Sequence, residues 1–133
     1  MHALLFVYGT LLSRAGHPMG MRLQRTARLV GEATIQGRLY SIDRYPGLIE
    51  GAEGQYPVCG ELYELSSPAS AFKWLDAYEG IVAGRPERSP YERVKRPVRL
   101  ASGETLTAWV YLYRKSVRNR QEVPGGSWPP PTV

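Results

Sequence analysis

With 133 residues, 43% of them apolar and 22% charged, the chain has the make-up of one globular domain with a single core. No apolar run nears the ~20 residues of a membrane-spanning helix, the run at 3–7 is too short for a secretory leader and has no basic flank, and the lone Cys59 excludes an internal disulfide. A cytoplasmic protein is expected. The net charge of +5 is spread over Arg22, Arg25 and Arg28, then Lys95, Arg96 and Arg99, then Arg114, Lys115, Arg118 and Arg120. These read as solvated faces, so neither a nucleic-acid nor a membrane partner is expected.

Residues 2–8 form an apolar strand that stops at Tyr8-Gly9-Thr10-Leu11. Glycine opens dihedrals denied to other residues, so a sharp turn is expected there, with main-chain amides turned out to hold an anion. Pro18 opens a short helix over 18–27, with His17 as a poor N-cap and a solvated loop residue. Residues 30–42 read as a strand, Tyr45-Pro46-Gly47 as a turn and 57–65 as a further strand. Gly37-Arg38-Leu39-Tyr40-Ser41-Ile42 and Gly60-Glu61-Leu62-Tyr63-Glu64-Leu65 share one pattern, Gly-x-Leu-Tyr-x-aliphatic. In each, Leu faces one side and Tyr with the aliphatic the other, and each glycine marks a bulge or a close backbone approach. The pair predicts two strands in similar positions of one sheet.

Ser67-Pro68 starts the best helix, Phe72, Leu75 and Tyr78 recur at helical spacing, and Gly80 ends it. Residues 81–90 form a polar loop. Residues 91–100 and 105–113 form a hairpin around the turn at 101–104. In its second strand Leu106, Ala108, Val110 and Leu112 oppose Trp109, Tyr111 and Tyr113. Residues 1–122 are read as one domain and 123–133 as an irregular Pro/Gly-rich tail. Strands outnumber helices, which predicts an α+β fold with a small, mixed, mostly antiparallel sheet or barrel.

Chemistry is sparse by composition. Two histidines, His2 and His17, and no cysteine pair give no zinc spacing. No Gly-x-Ser-x-Gly elbow, phosphate loop or dinucleotide fingerprint is present. Cys59, inside a strand, reads as a buried, inert thiol. Glu79 is placed on the last turn of the best helix, where the negative end of the helix dipole favours its protonated form. Spacing alone reads it as a solvated residue before a capping glycine, with proton transfer as the alternative. Asp76 reads as exposed or capping. Tyr8, Tyr40, Tyr91 and Tyr113 are candidates to line a pocket. Arg93 reads as a strand-surface ion pair, with a substrate carboxylate as its alternative partner.

Tyr8-Gly9-Thr10-Leu11, the twin Gly-x-Leu-Tyr strands, Leu75-Asp76-x-Tyr78-Glu79-Gly80, Tyr91-x-Arg93 and Ala108-Trp109-Val110-Tyr111 occur in an order that resembles the γ-glutamylcyclotransferase-like family, in its γ-glutamylamine cyclotransferase and AIG2-like branch. Gly125-Gly126-Ser127-Trp128 departs from that branch by a serine where a Gly-Asp-Trp element is usual. The resemblance implies a small barrel with one main helix and a cavity, in which the amides of Tyr8, Gly9, Thr10 and Leu11 hold a glutamyl group and Glu79 is the general acid/base. It implies cyclisation of a γ-glutamyl amine or amide to 5-oxoproline, without metal or cofactor, on a small-molecule substrate. Specificity for the leaving amine is expected in loops 43–56 and 81–90 and in the tail. A non-catalytic ligand-binding domain of the same fold is the competing reading, and a basic nucleic-acid-binding barrel a third. The sequence leaves the oligomeric state open.

Overall fold

The computed structural model describes residues 3–50 and 54–129. In chain order it contains β1 (Ala3–Val7), α1 (Pro18–Thr26), β2 (Ala27–Ser41), β3 (Pro46–Ile49), β4 (Tyr56–Leu65), α2 (Pro68–Tyr78), β5 (Tyr91–Leu100), β6 (Thr105–Tyr113) and β7 (Gln121–Glu122). His2, with which the first predicted strand began, and the final prolines Pro130 and Pro131 lie outside the described residues.

Strands β2, β4, β1, β6 and β5 run in that order, and β5 pairs back to β2 through Ala33 with Leu100 and Thr34 with Arg99. The ring closes as a five-stranded barrel, which leaves no free edge among these strands. The pairings are antiparallel except for β1 with β6. Past the ring, the long strand β2 carries β3 and β7 on its C-terminal half.

Strand periodicity sorts the side chains into two cores. Phe6 and Tyr8, Leu39, Leu62, and Ala108, Val110 and Leu112 belong to one cluster built from strands and their connections. Leu5 and Val7, Tyr63, Tyr111 and Tyr113 belong to the other, where Leu23 of α1 and Phe72 and Leu75 of α2 cover the sheet. The two Gly-x-Leu-Tyr segments therefore divide as their period of two predicts, and β2 and β4 pair directly. Their glycines mark close approach: a side chain at Gly60 would overlap the Val7 carbonyl and the Phe6 ring, and one at Gly37 would sit 2.7 Å from Leu48. The bulge lies elsewhere, between Leu29 and Gly31.

Five expectations are revised. Residues 45–47 are not one turn: the bend ends at Tyr45 and Pro46 starts β3. His17 does cap α1, since its Nδ1 accepts the Met19 N–H at 3.1 Å, whereas Ser67 occupies the α2 cap position without a side-chain bond. Cys59 is exposed, because its neighbours Val58 and Gly60 take the inward positions of β4. The C-terminal segment is partly ordered against the barrel. Arg38 pairs with Glu122 at 2.7 Å, the Val123 N–H donates to the Leu39 carbonyl at 2.7 Å, and Pro124–Gly126 form a 3-10 turn.

Candidate active site

The strand β1 ends in a tight turn in which the Leu12 N–H donates to the Gly9 carbonyl at 3.0 Å. Thr10 and Leu11 are its central residues. Two elements hold it from behind. The buried Glu61 of β4 accepts from the Ser13 N–H at 2.7 Å and from the Ser13 hydroxyl at 2.5 Å. Gly20 of α1 packs on the Thr10 and Leu11 carbonyls. Gly9 is not in the left-handed region, so the turn does not need its conformational freedom. It needs the missing side chain: a Cβ there would stand 2.7 Å from Pro46 Cγ and 2.8 Å from Cδ. The amides of Gly9, Thr10 and Leu11 have no hydrogen-bond acceptor among the described residues.

This turn forms one side of a cavity of about 590 Å³, and Glu79 forms another. Helix α2 ends in a Schellman motif, with Ile81 N–H to Asp76 C=O at 2.9 Å, Gly80 N–H to Ala77 C=O at 3.1 Å, and Gly80 left-handed at φ 78°. Glu79 is the residue just before that reversal, and its side chain lines the cavity. It keeps some access to the cavity's interior while protein surrounds most of it. Burial, and next the charge of Asp76, push its carboxyl up to about 7. Desolvation is thus the main cause, ahead of any effect of the helix end.

Asp76 is neither free nor capping. It accepts Arg93 Nε at 2.9 Å and Nη2 at 3.3 Å on its two oxygens, and the Tyr111 hydroxyl at 2.6 Å. Arg93 also lies over the Phe72 ring at 3.8 Å, so the ion pair, not a ligand carboxylate, is its partner. Tyr111 reaches the cavity wall through this contact.

Among the tyrosines singled out by sequence, Tyr8 and Tyr91 line the cavity, while Tyr40 and Tyr113 are not among its lining residues. Both lining hydroxyls are already engaged. Tyr8 O–H donates to the Tyr111 carbonyl at 2.6 Å and accepts the Leu48 N–H, and Tyr91 O–H donates to the Pro46 carbonyl at 2.6 Å. Burial drives both phenols well above their ordinary range. They are walls and braces. Tyr113 stands edge-on behind Tyr91 at 5.4 Å, and Tyr40 pairs in the sheet with Gly47 and Glu122.

The structure adds residues that the sequence reading passed over. His17 lines the cavity, tilted against Tyr78 with ring centroids 5.3 Å apart, and is not a solvated loop residue. The Tyr78 hydroxyl sits 2.5 Å from Thr10 Oγ1. Arg44, Tyr45 and Pro46 bring the β2–β3 bend to the rim, and Pro90 comes from the loop before β5. In the sequence Tyr78 shows only as a residue of the helical spacing and of the Leu-Asp-x-Tyr-Glu-Gly motif, with no sign of its neighbours Thr10 and His17. The Ser127-Trp128 element instead lines a second hollow with Cys59, where Arg14 Nη2 donates to the Trp128 carbonyl at 3.0 Å.

The model of the family described as "Gamma-glutamyl cyclotransferase, AIG2-like" matches residues 5–130. The chain belongs to this family. A Vibrio cholerae protein provisionally named gamma-glutamylcyclotransferase is 32% identical over 130 residues, covering 96% of each chain. Among solved structures, a mouse aig2-like protein superposes with a TM-score of 0.67 at 23% identity over 86% of this chain and 79% of its own. Bacillus subtilis YkqA superposes with a TM-score of 0.71 at 22% identity over 96% of this chain, which spans only 40% of YkqA. At these identities the two structures establish a shared AIG2-like fold. No helix among the described residues is long and apolar enough to cross a membrane.

Proposed function

We propose that the protein is a γ-glutamylcyclotransferase acting on a small γ-glutamyl amine or amide. The observation that carries this reading is the pairing in one cavity of an amide-rich turn at 8–11 with a single carboxyl held near neutrality, Glu79. The substrate's α-amino nitrogen attacks its own γ-carbonyl carbon, the bond to the leaving nitrogen breaks, and 5-oxoproline and the free amine result. Nucleophile and electrophile are tethered, so the cavity has only to fold the glutamyl chain. Well-oriented intramolecular attack is worth roughly 7–11 kcal/mol.

The α-ammonium must lose a proton before it attacks. An ordinary carboxylate, near pKa 4.3, is a weak base for that step. Glu79, pushed up to about 7, takes the proton more readily and returns one to the departing nitrogen. The amides of Gly9, Thr10 and Leu11, which have no acceptor among the described residues, offer donors to the glutamyl carboxylate or to the oxyanion that forms at the γ-carbon. A single donor of this kind is worth roughly 2.7–4 kcal/mol in other enzymes.

The test is Glu79→Gln with a panel of γ-glutamyl compounds and 5-oxoproline as readout. The variant keeps the shape and loses the base, so release should fall by about 10²–10⁴-fold. For the wild type, kcat/KM should rise with pH to a plateau above pH 7, because the base is the ionised form. Wild-type rates in E79Q, or no 5-oxoproline from any compound of the panel, would remove this reading.

A further inference from the structure

Beside the turn amides, three side chains form a row whose direction is set by a main-chain contact. His17 Nδ1 accepts the Met19 N–H at 3.1 Å, so the neutral imidazole carries its proton on Nε2. Nε2 is 3.4 Å from the Tyr78 hydroxyl. When the Tyr78 oxygen accepts there, its own proton turns to Thr10 Oγ1, 2.5 Å away. Burial keeps the Tyr78 phenol above its ordinary value, so it remains protonated and able to donate at neutral pH. Thr10 Oγ1 is then occupied as an acceptor. Its hydroxyl has no second partner among the described residues, which leaves its proton for the cavity that Thr10 lines.

We propose that His17 and Tyr78 are positioning residues that act through Thr10: the row His17 to Tyr78 to Thr10 fixes the Thr10 hydroxyl as a donor, which joins the amides of Gly9, Thr10 and Leu11 in an all-donor pole for the α-carboxylate of a γ-glutamyl compound. Without the imidazole, the Tyr78–Thr10 bond runs in either direction, and the Thr10 proton spends part of its time turned away from the ligand. The gain is preorganisation, which shows in affinity. The ligand class rests on the proposed function; the row itself concerns binding and needs no turnover.

The experiment is a double-mutant cycle on the full chain, carried in the E79Q background so that the ligand is not consumed. Calorimetry measures the affinity for γ-glutamylglycine and for the same compound with its glutamyl α-carboxylate converted to a carboxamide. His17→Asn retains a capping side chain for α1 but cannot reach Tyr78, and Tyr78→Phe removes the hydroxyl without touching the cap. Each should weaken γ-glutamylglycine by about fivefold and the carboxamide by less than twofold. Thr10→Val should weaken γ-glutamylglycine at least as much, and adding H17N or Y78F to T10V should cost nothing more. Equal losses of H17N with and without Thr10, equal losses for both ligands, or no binding of γ-glutamylglycine would each overturn the proposal. An intact cycle with no turnover in the Glu79 protein would instead overturn the catalytic reading and leave the row standing.

Discussion

Glu79 shows how position and environment divide the work at the scale of one residue. The helix stop at Gly80 puts it at a chain reversal, and burial with Asp76 nearby makes its proton hard to remove. The same shift affects stability. Between the unfolded value near 4.5 and the folded value of about 7, the native state holds a proton that the unfolded chain has lost. Stability from this group is therefore complete at low pH and declines as pH rises through 7. The full shift corresponds to about 3 kcal/mol, and access to the cavity's solvent reduces it to roughly 1–3 kcal/mol. Urea unfolding of E79Q and wild type should coincide near pH 4 and diverge by that amount at pH 8, with E79Q the more stable. Curves that stay parallel at all pH values would show that Glu79 titrates normally.

Between elements, Pro46 is the joint. It abuts Gly9 at the end of β1, starts β3, and accepts the Tyr91 hydroxyl of β5 on its carbonyl. Three segments distant in sequence thus meet at the mouth of the cavity. Gly9→Ala forces a methyl against the proline ring. The expected cost is about 1–3 kcal/mol in urea unfolding, from overpacking and not from backbone strain. The circular dichroism spectrum should stay native while γ-glutamyl ligand affinity falls, because the turn must move away from Pro46. The glycine was visible in the sequence, but its reason was not. A local reading supplies the dihedral argument, and only the folded backbone at Gly9, with Pro46 set against it, shows that it does not apply.

For the whole molecule, the barrel carries both the cavity and the C-terminal segment, with β3 and β7 paired to the same half of β2. The positive charge is also dispersed: Arg28 with Glu64, Arg96 with Glu50, Arg114 with Glu92 and Arg120 with Asp43 are ion pairs on different strands and loops. Val123, 2% exposed, fixes the segment after β7 into the strand-built core and is not among the residues lining the Glu79 cavity. Val123→Ala should lower stability by about 1–3 kcal/mol through lost burial and a small void. It should leave 5-oxoproline release within twofold of wild type. A large loss of release at full stability would tie this segment to the site.

The sequence by itself determined the strands from 57 to 65 and 91 to 113, the two faces of the Gly-x-Leu-Tyr segments, the end of α2 at Gly80, and the pairing of Tyr8-Gly9-Thr10-Leu11 with Glu79 as the family's marks. These depend on consecutive residues, where a period of two or 3.6 and a capping glycine leave a direct imprint. Only the tertiary structure decided that Cys59 faces outward, that Asp76 is taken by Arg93 and Tyr111, and that His17 and Tyr78 stand beside Thr10, from which Tyr78 is 68 positions away. It also raised the proton affinity of Glu79. Desolvation and side-chain juxtaposition depend on which remote segments the barrel brings together, and no local pattern encodes them.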